Sequence, residues 1–183
     1  MTGKRSPQQI LEQRLAYDSP WIRLWVARVL LPDGTIIPQY HLLDYPKEAV
    51  CVVPVGDDGR VLMVYQYRLV PQCYDWEVPA GAIETVESAE AAARRELAEE
   101  AGATASELIY LGRYNPSNGT SNQAFHVFVG RHALVVGAPA DPNEIEKVGW
   151  FPRAEIRQMI RSNALKDGLT LTALLWAMQE DHL

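Results

Sequence analysis

The chain has 183 residues, 48% of them hydrophobic and 22% charged, which is enough apolar material to bury one good core. Seventeen basic residues against 23 acidic ones leave a net charge of −6, which argues against a general binder of nucleic acid or of anionic membranes but leaves room for a small phosphorylated ligand neutralised by a metal ion. No apolar run approaches ~18 residues, Met1–Pro7 is not followed by an apolar signal core, and Cys51 and Cys73 are too few and too far apart for a disulfide framework or a zinc site, so the chain reads as cytoplasmic with no membrane partner.

Strand signals open the chain. Trp21–Leu31, the turn Pro32-Asp33-Gly34 and Thr35–Leu43 read as a β-hairpin, and residues 1–45 as an N-terminal β extension to a main domain of residues 46–183. Ala49–Val55, the turn Gly56-Asp57-Asp58-Gly59 and Arg60–Tyr67 read as a second hairpin. Cys51 falls in this apolar run and reads as core, and Cys73 reads as structural although it lies near the residues singled out below. A helix follows over Ser88–Ala101. Further strands are expected at Glu107–Tyr114, Gln123–Gly130 and Glu146–Phe151, then a helix over about Pro152–Arg161 and a last amphipathic helix over about Leu169–Met178. There are no internal repeats, low-complexity tracts or linkers, and the order of elements implies a mixed sheet between helices, α+β or α/β by class.

The segment from Gly81 to Ala103 carries the most information. Ser88 can cap a helix with Glu90 in its first turn, no Gly, Pro or β-branched residue interrupts it, and Gly102 ends it. Glu96, Glu99 and Glu100 are related by i+3 and i+4 spacing, which sets three carboxylates on one face. Three adjacent anions repel, and hard divalent cations with oxygen ligands are the natural compensation. Ala89, Ala92 and Ala93 are expected on that face, leaving room for metal and phosphate, while Leu97 with Ala93 and Ala101 forms the inward stripe. The competing reading is a solvated acidic helix in which Arg95 pairs with Glu99 and nothing binds.

Gly81, Glu87, Arg95, Glu96, Glu99, Glu100 and Gly102, at their spacing, resemble the Nudix box, the signature of Mg-dependent hydrolases of nucleoside diphosphates linked to another moiety. Gln66-Tyr67-Arg68 and Trp76-Glu77-Val78-Pro79-Ala80-Gly81 are similar to elements of the ADP-ribose pyrophosphatase branch, as are the N-terminal hairpin, Pro116 in a loop, and the helix start Asp167-Gly168-Leu169-Thr170. The resemblance runs from about Leu11 onward and implies an α/β/α sandwich around a mixed sheet, a nucleoside diphosphate sugar as substrate, ADP-ribose first among them, and Mg2+ or Mn2+ as cofactor. It implies metal ligands at Glu96 and Glu100 with the Ala80 carbonyl beside them, Glu99 sharing a further ion, and an organising role for Glu87 and Arg95. Arg68 is the candidate for the substrate phosphates because its planar fork suits oxyanions, with a structural pairing to Glu77 as the alternative. Trp21, Trp25 and Tyr40 could stack on a base, or serve as core.

The implied chemistry is metal-assisted hydrolysis of a phosphoanhydride, with the box carboxylates setting metal geometry and a further carboxylate taking the proton of the attacking water. The sequence departs from the family pattern here. Where several relatives carry Glu in the loop after the box, this chain has Asn122, which cannot be a base. In the other loop that supplies a base, Ala140–Glu146, Glu144 is the first candidate and Asp141 the second. GDP-mannose, another nucleotide sugar, a dinucleotide or an oxidised nucleoside triphosphate are alternative substrates. A non-catalytic nucleotide-binding regulator is disfavoured because every box carboxylate is intact. The resemblance also implies a homodimer built through Trp21–Leu43, where Trp21, Leu24, Trp25, Val26, Val29 and Leu30 place more apolar surface than one small sheet covers.

Overall fold

A computed structural model describes residues 7–140 and 142–183, which fall into two compact units: the N-terminal residues up to Lys47 together with Ser117–Gln123, and Glu48–Pro116 together with Ala124–Leu183. The loop Ser117–Gln123 thus belongs with the N-terminal unit, a grouping that a cut of the chain at 45/46 leaves out.

In the first unit β1 (Gln9–Asp18), β2 (Arg23–Leu30) and β3 (Ile36–Asp44) form an antiparallel sheet in that order. The β2–β3 turn closes through Leu31 N–H to Thr35 O at 2.8 Å, with Asp33 Oδ1 accepting from Thr35 N–H at 2.9 Å and Gly34 at φ +90°. Strand β1 has no counterpart among the expected elements, and each of its residues is exposed. The loop Ser117–Gln123 is held by Leu43 N–H to Thr120 O at 2.8 Å and by the Tyr40 hydroxyl donating to Gly119 O at 2.5 Å.

The second unit comprises β4 (Ala49–Val55), β5 (Val61–Arg68), β6 (Cys73–Glu77), β7 (Ala80–Ala82), α1 (Ala89–Ala101), β8 (Ala103–Thr104), β9 (Glu107–Tyr114), β10 (Phe125–Arg131), β11 (Leu134–Val135), β12 (Ile145–Phe151), α2 (Arg153–Arg161) and α3 (Gly168–Gln179). Its main sheet runs β12-β5-β4-β10-β9, with β6 bonded to β5 and β7 to β4; β4 and β10 are parallel and the other pairs antiparallel. Strand β4 is buried on both faces, as its continuous apolar run requires. Helix α1 covers one face, packing Ala92, Ala93, Leu97 and Ala101 against Val50, Val52, Leu62 and Val64. Helices α2 and α3 cover the other, where Ile156, Ala173, Leu174 and Ala177 meet Cys51, Val53, Met63, Val127 and Val129. The expected mixed α+β sandwich is therefore the observed architecture. Among the described residues no helix is long and apolar enough to cross a membrane.

Two expectations are corrected. Ala92 and Ala93 do not line an open metal face; both are fully buried, and their small side chains serve to bring α1 close to the sheet. The second hairpin turns as expected at Gly56–Arg60, but β4 and β5 pair only at Val55↔Val61. Beyond that pair the segment Cys73–Ala82 enters between them: β6 takes the edge of β5 from Val64↔Glu77 to Arg68↔Cys73, and β7 takes β4 from Ala49↔Ala82 to Cys51↔Ala80. Pro79 breaks the two strands apart, and its carbonyl still accepts from Val52 N–H at 2.9 Å.

Helix α1 begins and ends as its sequence demands. Ser88 Oγ accepts from Ala91 N–H at 3.1 Å, and Gly102 stands at φ 58°, ψ 30° with its N–H returning to Ala98 O. A side chain at Gly102 would run into the Gly137 backbone, so the glycine is required by both conformation and space.

Candidate active site

Helix α1 directs Glu96, Glu99 and Glu100 into a cleft of about 460 Å³ that is also lined by Ala80, Gly81, Ala140, Glu144 and Ile145. The three carboxylates are not equivalent: Glu96 and Glu100, one turn apart, are buried, while Glu99 stands exposed at the rim. Glu100 Oε2 accepts from Ala80 N–H at 2.8 Å, so the helix is bonded to the strand opposite. Gly81 lies so close to the Glu96 carboxylate that any side chain there would displace it.

Arg95 organises the rim. Its guanidinium donates to Glu87 Oε1 and Oε2 at 3.0 Å each, to Ala82 O at 2.9 Å, to Glu96 Oε1 at 2.6 Å and to Glu99 Oε2 at 3.0 Å. Glu87 Oε2 in turn accepts from Glu84 N–H at 3.1 Å, which closes the loop between β7 and α1.

Burial pushes the Glu100 carboxyl up to about 8; the Ala80 amide opposes the rise and the Glu96 and Glu144 charges add to it. Burial also raises Glu96, with Arg95 working against it. Among the described residues no Lys or Arg forms an ion pair with Glu100, and no three His, Cys, Asp or Glu side chains already close around a single point, because Arg95 lies between Glu96 and Glu99. A buried carboxylate without an ion-pair partner, a second carboxylate one turn away and the Ala80 carbonyl across the cleft are hard oxygen donors of the kind Mg2+ or Mn2+ takes, so the residues fit the ion.

Arg68 and Glu77 face each other across β5 and β6. Arg68 Nε lies 2.9 and 3.1 Å from the two Glu77 oxygens and Nη2 lies 2.5 Å from Oε2, while Gln66 Nε2 donates to the same oxygen at 3.3 Å. Burial raises the Glu77 carboxyl and Arg68 opposes it; the bidentate geometry is that of a charged pair. The side chain of Glu77 is 3% exposed against 40% for Arg68, so the guanidinium is reachable from solvent while its partner is not.

Glu144 sits in the turn before β12, exposed and on the wall of the same cleft as the box carboxylates. Asp141 lies outside the described residues. Asn122 belongs to the first unit, where its Oδ1 accepts from Tyr45 N–H at 2.7 Å and its Nδ2 donates to Asp44 at 2.6 Å. Also in that unit, Trp25 and Tyr40 line a cavity of about 610 Å³, whereas Trp21 is 78% exposed.

Sequence reasoning passed over two buried polar side chains that hold the segment before Gly81. The Asp75 carboxylate accepts from Trp76 N–H at 2.8 Å and from Lys166 N–H at 2.9 Å. Thr170 Oγ1, fully buried, accepts from Val78 N–H at 3.1 Å. An Asp beside Trp76 was the available signal for the first; the helix start Asp167–Thr170 was legible, but the contact of Thr170 with Val78 spans 92 residues and leaves no local mark.

The raised carboxyl has a consequence for stability. An unfolded glutamate loses its proton near 4.5, whereas Glu100 in the folded, metal-free chain keeps it to about 8, so folding stability falls as pH rises from about 4.5 to about 8. Glu100→Gln stays neutral throughout. In chelator it is expected to match wild-type Tm at the acid end of that range and to exceed it by several degrees at the alkaline end. Thermal unfolding by circular dichroism against pH checks this, and equal Tm values across the range would contradict it.

The domain model described as "NUDIX domain" matches residues 45–171. The chain is 30% identical to the CMP-5'-(N-acetyl-N-hydroxy-3-aminopropyl)phosphonate hydrolase of Streptomyces rubellomurinus, over 89% of this chain and 78% of that protein. It is 30% identical to the ADP-ribose pyrophosphatase of Bacillus subtilis, over 98% of this chain and 97% of that one. In three dimensions it is similar to a crystal structure of an ADP compounds hydrolase, with a TM-score of 0.84 and 20% identity, covering 95% of this chain and 94% of the other. With the box glutamates gathered at one cleft and the fold shared, the chain belongs to the Nudix family and is a Nudix hydrolase.

Proposed function

We propose that this hydrolase cleaves the diphosphate of a nucleoside diphosphate sugar in the cytoplasm, with ADP-ribose giving AMP and ribose 5-phosphate as its principal reaction. The observation that carries the reading is end-to-end similarity to an ADP-ribose pyrophosphatase, which takes in the N-terminal sheet and the segments Gln66–Arg68 and Trp76–Gly81 as well as the box. The similarity to a hydrolase of a CMP-linked phosphonate favours a second reading, in which the nucleotide is CMP and the partner group a phosphonate.

In this reading Glu96, Glu100 and the Ala80 carbonyl hold Mg2+ or Mn2+, and Glu99 at the rim shares a further ion. Bound there, such an ion neutralises the diphosphate and lowers the pKa of a water. Arg68, solvent-facing and held in place by Glu77, directs its guanidinium to the phosphate oxygens. Glu144 takes the proton of the water as its oxygen bonds to one phosphorus and the bridging oxygen leaves with the other. Trp25 and Tyr40 offer aromatic faces to the base, with Trp21 as a further stacking surface.

A hydrolysis screen with Mg2+ or Mn2+ over ADP-ribose, GDP-mannose, UDP-glucose, NADH, diadenosine polyphosphates, 8-oxo-dGTP and a CMP-linked phosphonate tests the substrate. ADP-ribose is expected to rank at or near the top. A preference for nucleoside triphosphates would overturn the reading, and a preference for the phosphonate would select the second one.

Metal binding and proton transfer separate in variants. Glu100→Gln is expected to weaken metal binding and to lower kcat by roughly 10²-fold or more. Glu144→Gln is expected to lower kcat by about 10² to 10⁴-fold while metal affinity changes little. Near wild-type kcat in Glu144→Gln removes it as the base and makes Asp141→Asn the variant to assay.

The N-terminal β extension, residues 1–45, serves in this reading as the dimerisation and base-binding region. Ile10, Leu11, Leu15, Tyr17 and Ile36 on the three-stranded sheet and Trp21 in its β1–β2 turn are exposed, more apolar surface than an isolated small sheet keeps in water. Light scattering at micromolar concentration is expected to give the mass of a homodimer; a monomer there counts against it.

A further inference from the structure

Three backbone groups between Asp75 and Ala80 are fixed by three different elements, and a fourth, Trp76 N–H, by the Asp75 side chain. Strand β4 donates from Val52 N–H to Pro79 O at 2.9 Å, and α1 accepts from Ala80 N–H through Glu100 at 2.8 Å. The remaining ties come from the start of α3. Thr170 Oγ1 accepts from Val78 N–H at 3.1 Å, and Asp75 spans the gap, taking Trp76 N–H on one oxygen and Lys166 N–H on the other. Thr170 is fully buried and Asp75 is 7% exposed, so water cannot stand in for either contact. The start of α3 is itself fixed, since Asp167 Oδ2 accepts from Thr170 N–H at 2.7 Å.

The geometry points to Thr170 and Asp75 as positioning residues for the metal site: they hold the Trp76–Ala80 segment so that the Ala80 carbonyl and the Ala80–Glu100 bond stay in register with α1. The inference rests on the proposed metal-dependent reading and extends it to a helix on the opposite face of the sheet. Val78 and Ala80 are two residues apart, and Pro79 between them has a fixed φ, so a shift at Val78 passes to the Ala80 carbonyl with little lost to rotation. Neither Thr170 nor Asp75 lines the cleft. It also assigns a task to Asp167-Gly168-Leu169-Thr170: the first turn of α3 braces the metal-binding strand while its later turns pack the core.

The test is Mn2+ binding by the full chain without substrate, read from the electron paramagnetic resonance signal of free Mn2+, with Tm measured alongside. Thr170→Val keeps the shape and removes the acceptor; Asp75→Asn keeps the shape but has one oxygen for two donors. Both are expected to weaken Mn2+ binding by roughly 10 to 100-fold, and Thr170→Ser, which keeps a hydroxyl, to remain within about twofold of wild type. Val129→Ala, a buried change in β10, is the control for lost stability: it is expected to lower Tm without changing Mn2+ affinity. Wild-type affinity in Thr170→Val, or in Asp75→Asn should the first variant not fold, overturns the inference alone, as does an affinity that follows Tm in all variants including Val129→Ala. A wild-type chain that takes up no Mn2+, or takes it up equally well with Glu100→Gln, overturns the metal reading and this inference together.

Discussion

Glu100 Oε2 receives the Ala80 amide at 2.8 Å, and through that bond the carboxylate-bearing helix and the strand facing it become one object. Most of the second unit can be read as what this contact requires. The helix has to lie close to the sheet, which Ala92, Ala93 and Ala101 allow because they occupy little space beside Val50, Val52 and Val64. Its end has to be placed, which Gly102 does by turning in a conformation and a gap that no other residue fills. The strand has to be presented edge-on, which happens because β4 and β5 separate after one pair and admit β6 and β7 between them.

The contact also works against folding. A carboxylate without an ion-pair partner is costly to bury, and the rise of the Glu100 carboxyl to about 8 reflects that cost. The Ala80 amide and the Arg68 charge limit it at Glu100, while Arg95 spreads one guanidinium over Glu87, Glu96 and Glu99. Arg95 relieves the rim but does not reach Glu100. The deepest carboxylate is therefore the one with most to gain from a divalent ion.

Local features of the sequence made much of this legible. Helix α1 was recognisable from Ser88 to Gly102 because cap, composition and stop agree, and β9 matches its expected bounds residue for residue because its flanks are clear. What escaped was decided at long range or by pairing alone. Strand β1 reads Gln-Ile-Leu-Glu-Gln-Arg-Leu-Ala-Tyr-Asp, without strict alternation, and is exposed along its length; hydrogen bonds to β2, rather than a buried face, define it. Ala92 and Ala93 were misassigned because 100° per residue places them beside Glu96 on a helical wheel, and only packing against the sheet shows which side of Glu96 is interior. The partners of Asp75 and Thr170 lie 91 and 92 residues away.

Arg68 shows where residue type alone stops short of a role. A guanidinium suits either a phosphate or a structural carboxylate, and the structure gives it a bidentate partner in Glu77. The two roles are compatible because the pair is asymmetric in exposure: Glu77 is sealed among Gln66 and the β5–β6 ladder, so it fixes the stem and plane of Arg68 while the open side still faces solvent. A guanidinium oriented in advance loses less conformational freedom on meeting an oxyanion than a free one does. Glu77 lies on the same strand run that leads to Ala80, so the segment tethered to α3 and α1 also sets the plane of Arg68. The placement of the Arg68 guanidinium and of the Ala80 carbonyl thus depends on one short stretch of backbone, Asp75–Ala80, and on the buried side chains that hold it.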